Sequence, residues 1–177
     1  MVKAYYRLIY GVDVVVGKIR DELEKQGLAE NTIIIFTGDN GFYLGENGLA
    51  GKWYGHEESI RVPMLIYDPR NPRSKTIKEQ MVLNIDIAPT ILEFAGIEKP
   101  QKMQGESMLE LLNGSANEWR NEFFYEHFIL KRNDVVIIPG SEGIVGPDYK
   151  YIRYMKEPGK TIYEELFDRK NENIVSG

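Results

Sequence analysis

The chain has 177 residues, 22 Lys and Arg against 27 Asp and Glu, and a formal net charge of −5, with 42% hydrophobic and 28% charged residues. This balance suits a globular domain with a sizeable core; the acidic surplus gives no sign of the basic face that nucleic-acid binding needs, and apolar runs of about five residues are far short of a membrane span. Cysteine is absent, which excludes disulfides and thiolate zinc sites.

The first predicted element is a helix over Ala4–Gly27. Tyr5, Leu8, Ile9, Val12, Val15, Val16, Ile19 and Leu23 recur at the three-four spacing of one helix face. Gly11 and Gly17 are expected to mark close packing on a sheet, and Gly27 to end the helix. The helix begins almost at residue 1 without an N-cap or a preceding strand, and Met1–Arg7 carries no apolar leader. An α/β domain rarely opens this way, so further chain is expected upstream.

Ile33–Phe36 predicts a short strand buried on both faces. It runs into Thr37-Gly38-Asp39-Asn40-Gly41, which places two oxygen-bearing side chains at the carboxyl end of a strand, where open α/β sheets bind ligands. Asp39 and Asn40 offer hard oxygens suited to Ca²⁺ or Mg²⁺. The same five residues also make a good βα turn, since Asp and Asn bond their own backbone and Gly accepts positive φ. A glycine-rich loop follows, carrying Lys52 thirteen positions after Asp39. Lys52 reads either as a point charge for sulfate or phosphate oxygens or as a solvated surface lysine. Trp53 and Tyr54 read as a sugar-stacking platform or as packing over the loop. His56 is a candidate substrate contact or a loop residue. Glu57 and Glu58, being adjacent, point different ways and cannot face each other as an acid/base pair. Met64–Tyr67 returns to the sheet, so the whole stretch has the size of a crossover unit.

Asp68–Arg73 holds two prolines and predicts a turn. Met81–Asn84 predicts a short strand. Asp86, an N-cap with a structural part, and Pro89 then open a helix that Gly96 ends. Gly105–Leu109 leads a short helix that stops near Asn113-Gly114, and residues 115–119 form a polar linker. Beyond it, Phe123–Phe128, Val135–Ile138, Lys150–Tyr154 and Thr161–Phe167 are β-branched and aromatic runs between turns, which predict a small antiparallel sheet. His127 lies in one of these runs and reads as structural.

Thr37-Gly38-Asp39-Asn40-Gly41, Gly51-Lys52, Glu57-Glu58 and Arg61-Val62-Pro63, in that order, resemble the second half of the active site of the type I sulfatases, in the alkaline-phosphatase superfamily. Gly45-Glu46-Asn47-Gly48, Asp86-Ile87-Ala88-Pro89-Thr90 and Ala95-Gly96-Ile97 extend the likeness. The resemblance implies an α/β fold in which residues 1–114 are the C-terminal part of a sulfatase-like sandwich and residues 115–177 a small antiparallel subdomain. It implies Asp39 and Asn40 as Ca²⁺ ligands, with Mg²⁺ as the alternative ion, Lys52 as the catalytic sulfate-binding cation, and His56 as a further substrate contact. The family's nucleophile is a formylglycine made from Cys or Ser in a Cys/Ser-x-Pro-x-Arg motif. This chain has no Cys, no Ser-x-Pro and no Asp-Asp pair, so the nucleophile and the remaining metal ligands are expected on chain upstream. The implied substrate is a sulfated small molecule or glycan, and the implied setting is export. The 177 residues alone are expected to be inactive, with an exposed sheet edge through which copies would associate. Two alternatives stay open: a phosphodiesterase or phosphonate hydrolase of the same superfamily, and a non-catalytic binding module on the same fold.

Overall fold

The computed structural model of the chain describes residues 2–71, 79–132, 135–171 and 173–176. These fall into two compact units, Met1–Lys52 with His56–Thr76, and Trp53–Gly55 with Ile77–Gly177. Helices Ile87–Phe94 and Leu109–Asn113 belong to the second unit with the C-terminal strands.

In the first unit, helix α1 spans Val2–Lys25. Gly27, at φ 68°, stops it: the Leu28 N–H donates to the Leu23 carbonyl at 2.9 Å and the Gly27 N–H to the Glu24 carbonyl at 3.0 Å, a closure that needs a left-handed residue. No residue of α1 is buried. Leu8 and Tyr10 are each 70% exposed. Gly11 and Gly17, expected to mark close packing, face open space, with no atom within 4 Å of an added Cβ. Among the described residues, the apolar face of this helix is covered only in part, with Val16 and Leu23 half-buried and the rest exposed.

Strand β1 spans Ile34–Thr37. The loop after it contains strands β2 (Tyr43–Leu44) and β3 (Ala50–Gly51), paired with each other, and the single-turn helix α2 (Glu57–Ile60). Strand β4 (Met64–Tyr67) then pairs antiparallel with β1, Ile34 opposite Tyr67 and Thr37 opposite Met64. The stretch expected as a crossover unit is thus a return loop, since antiparallel neighbours need no crossover. Nor is β1 buried on both faces: it is half-buried, with Phe36 exposed. At the turn after β4, the Asn71 N–H donates to the Asp68 carbonyl at 3.0 Å, and the Arg70 guanidinium donates to both Asp68 carboxylate oxygens, each at 2.9 Å. Pro72 and Arg73 of the expected turn lie outside the described residues.

In the second unit, no strand forms at Met81–Asn84. Its backbone groups are taken elsewhere: the Leu83 N–H donates to Asp86 Oδ2 at 2.8 Å, and Trp119 Nε1 donates to the Met81 carbonyl at 2.8 Å. Asn84–Asp86 makes one 3₁₀ turn leading into helix α3 (Ile87–Phe94), and helix α4 spans Leu109–Asn113. The strands that follow are β5 (Phe123–His127), β6 (Leu130–Arg132), β7 (Val135–Ile138), β8 (Gly140–Val145), β9 (Tyr149–Glu157), β10 (Lys160–Asp168) and β11 (Asn173–Ser176). Five of them form an antiparallel sheet in the order β11-β10-β9-β8-β5, and β6 pairs with β7 in a separate hairpin.

Alternation along β9 sets the faces: Lys150, Ile152 and Tyr154 are buried, while Tyr149, Tyr151 and Arg153 are exposed. The buried face is partly polar and is satisfied internally. The Tyr154 hydroxyl donates to Glu165 Oε2 at 2.8 Å. Tyr154 stacks on Tyr163 at 4.5 Å, and the Lys150 ammonium lies 4.7 Å from the centre of the Phe167 ring. Burial of Tyr163, with the Glu165 carboxylate alongside, pushes its hydroxyl well above the ordinary range.

Candidate functional site

Strand β1 delivers Thr37 to the start of the site loop, and Gly41 fixes where that loop goes. The Gly41 N–H donates to the Ser59 carbonyl at 2.7 Å. A Cβ on Gly41 would overlap the Glu58 carbonyl oxygen and sit 2.8 Å from the Glu58 carbonyl carbon and 3.0 Å from that of Ser59. Only glycine lets the loop lie this close to the backbone of α2.

With the loop pinned, Asn40 is oriented by its own amide. Asn40 Nδ2 donates to the Gly41 carbonyl at 2.7 Å, which turns Oδ1 toward Lys52, and Lys52 Nζ donates to that oxygen at 2.8 Å. Lys52 arrives there at the end of the β2–β3 hairpin, in which Tyr43, fully buried, stands opposite Gly51. The hairpin bend is tied by the Leu44 N–H, which donates to Glu46 Oε2 at 2.6 Å. Hydrogen bonds from the Glu46 and Leu44 backbone hold the Glu46 carboxyl below the usual carboxylate range.

Asp39 is exposed beside this pair, whereas Asn40 and Lys52 are half-buried. His56 occupies the N-cap position of α2, where its carbonyl accepts from the N–H groups of Ser59 and Ile60 at 3.0 and 3.1 Å. The residue is buried, and its ring meets Tyr43 edge-on at 5.8 Å. The structure therefore joins Asn40 to Lys52 directly, keeps Asp39 next to them in the chain, and packs His56 against the hairpin.

Asp39 and Asn40 supply one carboxylate and one amide oxygen, hard donors that fit Ca²⁺ or Mg²⁺ in kind. They fall short in number, since Ca²⁺ takes about six to eight oxygens, and no group of three or more His, Cys, Asp or Glu able to hold a metal occurs among the described residues.

Asp86 is the structural residue expected, with a wider part than a cap. Fully buried, it accepts from the N–H groups of Leu83 and Glu106, each at 2.8 Å, and from both terminal nitrogens of Arg120. The expected side-chain cap on α3 does not form, since the carboxylate turns back to Leu83 instead, and nothing local marks Arg120, 34 positions away. Sequence reasoning also passed over Tyr43, fully buried in the hairpin, and Ser59, whose carbonyl accepts from the Gly41 N–H.

Residues 45–174 match the family described as N-sulphoglucosamine sulphohydrolase, C-terminal. The chain belongs to this sulfatase family. It is 31% identical to an N-acetylglucosamine-6-O-sulfatase of Bacteroides thetaiotaomicron, across 98% of this chain and 31% of that protein. The solved structure of BT4656 in complex with its substrate D-glucosamine-2-N,6-O-disulfate superposes with a TM-score of 0.82 at 31% identity, over 92% of this chain and 33% of that one. A phosphonate monoester hydrolase from Silicibacter pomeroyi superposes with a TM-score of 0.81 at 25% identity, again over 92% of this chain and 33% of the other. The chain thus spans about a third or less of the length of these relatives. Its mixed helix and sheet architecture, with small antiparallel sheets, is that of the C-terminal portion of a sulfatase.

Proposed function

We propose that this portion serves the hydrolysis of a sulfate ester on a sulfated amino sugar or glycan. Asp39 and Asn40 are two of the oxygen ligands of a Ca²⁺ ion, with Mg²⁺ as the alternative, and Lys52 takes a sulfate oxygen. The observation that carries this reading is the 2.8 Å hydrogen bond from Lys52 Nζ to Asn40 Oδ1, which sets a point charge against a hard-oxygen ligand. Support for the substrate class comes from the relatives, named for N-acetylglucosamine sulfate esters. A bound Ca²⁺ supplies Lewis-acid polarisation of the sulfate oxygens. Lys52 neutralises the negative charge those oxygens carry and develop, from a position already fixed before substrate arrives. Asn40, locked by its own Nδ2 contact, keeps both the ammonium and its amide oxygen in place. His56 is the second substrate-facing candidate, reaching a ligand only through the edge that its 7% exposure leaves open.

The nucleophile is assigned to chain outside these 177 residues, which hold no Cys and no Ser-x-Pro. The purified chain is therefore expected to give no turnover of 4-methylumbelliferyl sulfate above buffer, and measurable turnover would overturn that assignment. Calorimetric titration with Ca²⁺ tests the metal half of the site. Binding on the order of millimolar is expected from so few ligands, and it should vanish in Asp39→Ala. An Asp39→Ala chain that binds Ca²⁺ like wild type removes Asp39 from the ligand set.

The likeness to a phosphonate monoester hydrolase supports a second reading, cleavage of a phosphonate or phosphate ester on the same scaffold. Asn40 weighs against it where such a site relies on transition ions, because an amide oxygen favours hard Ca²⁺ over Zn²⁺ or Mn²⁺.

A further inference from the structure

Trp53 departs from the backbone habits of its residue type. Its φ is 104°, in the region where a bulky residue is a genuine outlier. Such strain persists only where the surroundings over-determine it, and it concentrates at ligand-binding positions. Here the surroundings are well built. Trp53–Gly55 belongs to the unit of the five-stranded sheet, although Lys52 and His56 on either side do not. The Tyr125 hydroxyl donates to the Trp53 carbonyl at 3.4 Å, and the Tyr54 ring lies 5.9 Å from that of Tyr154. A Cβ on Gly55 would overlap the Ile152 side chain and sit 3.1 Å from Tyr125 Cε1.

All of this bracing surrounds a tryptophan that remains 41% exposed as a residue. On one side it is backed by His127, whose ring lies 5.7 Å away at 62° and whose Nδ1 is buried with no hydrogen-bond partner among the described residues. Burial pushes the His127 imidazole below its ordinary range, so the ring is neutral at neutral pH. Trp53 is braced by Tyr125 and His127 and still keeps 41% of its surface exposed.

The geometry points to Trp53 as the residue that sets specificity for the leaving group, its indole face taking a sugar ring, with His127 as the positioning residue that fixes the angle of the indole. The inference rests on the sulfate-ester function proposed above. Trp53 is bonded directly to Lys52, the cation assigned to sulfate, with Cα atoms about 3.8 Å apart. Sugars suit the surface because their C–H faces are apolar and their rims polar, which matches an amphipathic aromatic.

The decisive variant is Trp53→Gly, since glycine adopts φ of 104° without strain and removes the indole without stressing the loop. The 177-residue chain is titrated with N-acetylglucosamine, its 6-sulfate, and inorganic sulfate, and its melting temperature is recorded. Trp53→Gly should weaken both sugars roughly tenfold, leave inorganic sulfate unchanged and not lower the melting temperature. His127→Ala should weaken both sugars as well, and His127→Phe, which keeps a ring behind the indole, should restore them. Lys52→Ala should lose inorganic sulfate and the preference for the sulfated sugar while still binding the unsulfated one. If wild type binds neither sugar, or Trp53→Gly binds both like wild type, the inference is overturned. If the sulfated sugar is lost in Trp53→Gly but indifferent to Lys52→Ala, the role of Lys52 fails and that of Trp53 stands.

Discussion

Asp86→Ala is expected to cost about 3–5 kcal/mol of stability, the range for breaking a buried ion pair by removing one partner. The carboxylate is 0% exposed and accepts four hydrogen bonds: from the Leu83 and Glu106 N–H groups, and from the two terminal nitrogens of Arg120. Alanine leaves two backbone donors and a guanidinium with 17% of its side-chain surface exposed without their acceptor. The loss spreads because the same place closes three segments. The Thr90 hydroxyl donates to the Asp86 carbonyl at 2.6 Å and accepts from the Met108 N–H at 2.9 Å, and Arg120 lies over the Trp119 ring at 5.0 Å. Arg120→Ala should cost less, since Asp86 then keeps both N–H donors. The double variant should cost less than the sum of the two singles, because an unpaired guanidinium no longer remains. Urea unfolding of the four proteins measures this. A loss below about 1 kcal/mol in Asp86→Ala would show that the cluster is not what closes the segment.

What could be read from the sequence and what could not divide along the range of the interaction. The end of α1 at Gly27 and the helix that starts after Asp86 are written within a few residues and stand where expected, although the Asp86 carboxylate accepts from Leu83 in the 3₁₀ turn before that helix and makes no side-chain cap bond to the helix itself. Pairing partners are not local. The spacing from Ile33 to Tyr67 suits a crossover as well as a return loop, and only the strand register of β1 against β4 separates them. Strand β8 escaped notice because Gly140 and Gly143 weaken its pattern, yet Gly143 has to be glycine: a Cβ there would overlap the Tyr151 carbonyl oxygen and lie 3.1 Å from Ile152 Cα. At the site, residue types pointed to Asp39, Asn40 and Lys52. They did not show that Asn40 bonds Lys52, nor that the backbone of Trp53 sits at positive φ, since no residue preference announces a strained tryptophan.

Gly41→Ala should be the most damaging small substitution in the site loop. The atoms a Cβ would meet, the carbonyl groups of Glu58 and Ser59, are backbone, so no side-chain rotation makes room. Either α2 moves or the loop lifts away, and lifting breaks the 2.7 Å hydrogen bond from the Gly41 N–H to the Ser59 carbonyl. Overpacking of this kind costs about 1–3 kcal/mol, with about 1 kcal/mol more for the lost hydrogen bond. The functional loss follows by the same route: Asn40 takes its orientation from the Gly41 carbonyl, and Lys52 takes its own from Asn40. Affinity for inorganic sulfate should therefore fall at least roughly tenfold, a larger effect than so small a group suggests but an ordinary one for a displaced cation. Gly38→Ala is the control. Its Cβ would sit 3.4 Å from Val62 Cγ1, an ordinary contact with a side chain able to adjust. It should leave both stability and sulfate affinity near wild type. Thermal unfolding and sulfate titration of the two variants then separate a loop shaped by close approach at one glycine from a loop that merely tolerates glycine. Equal behaviour of Gly38→Ala and Gly41→Ala would mean that the contact with α2 does not hold the site.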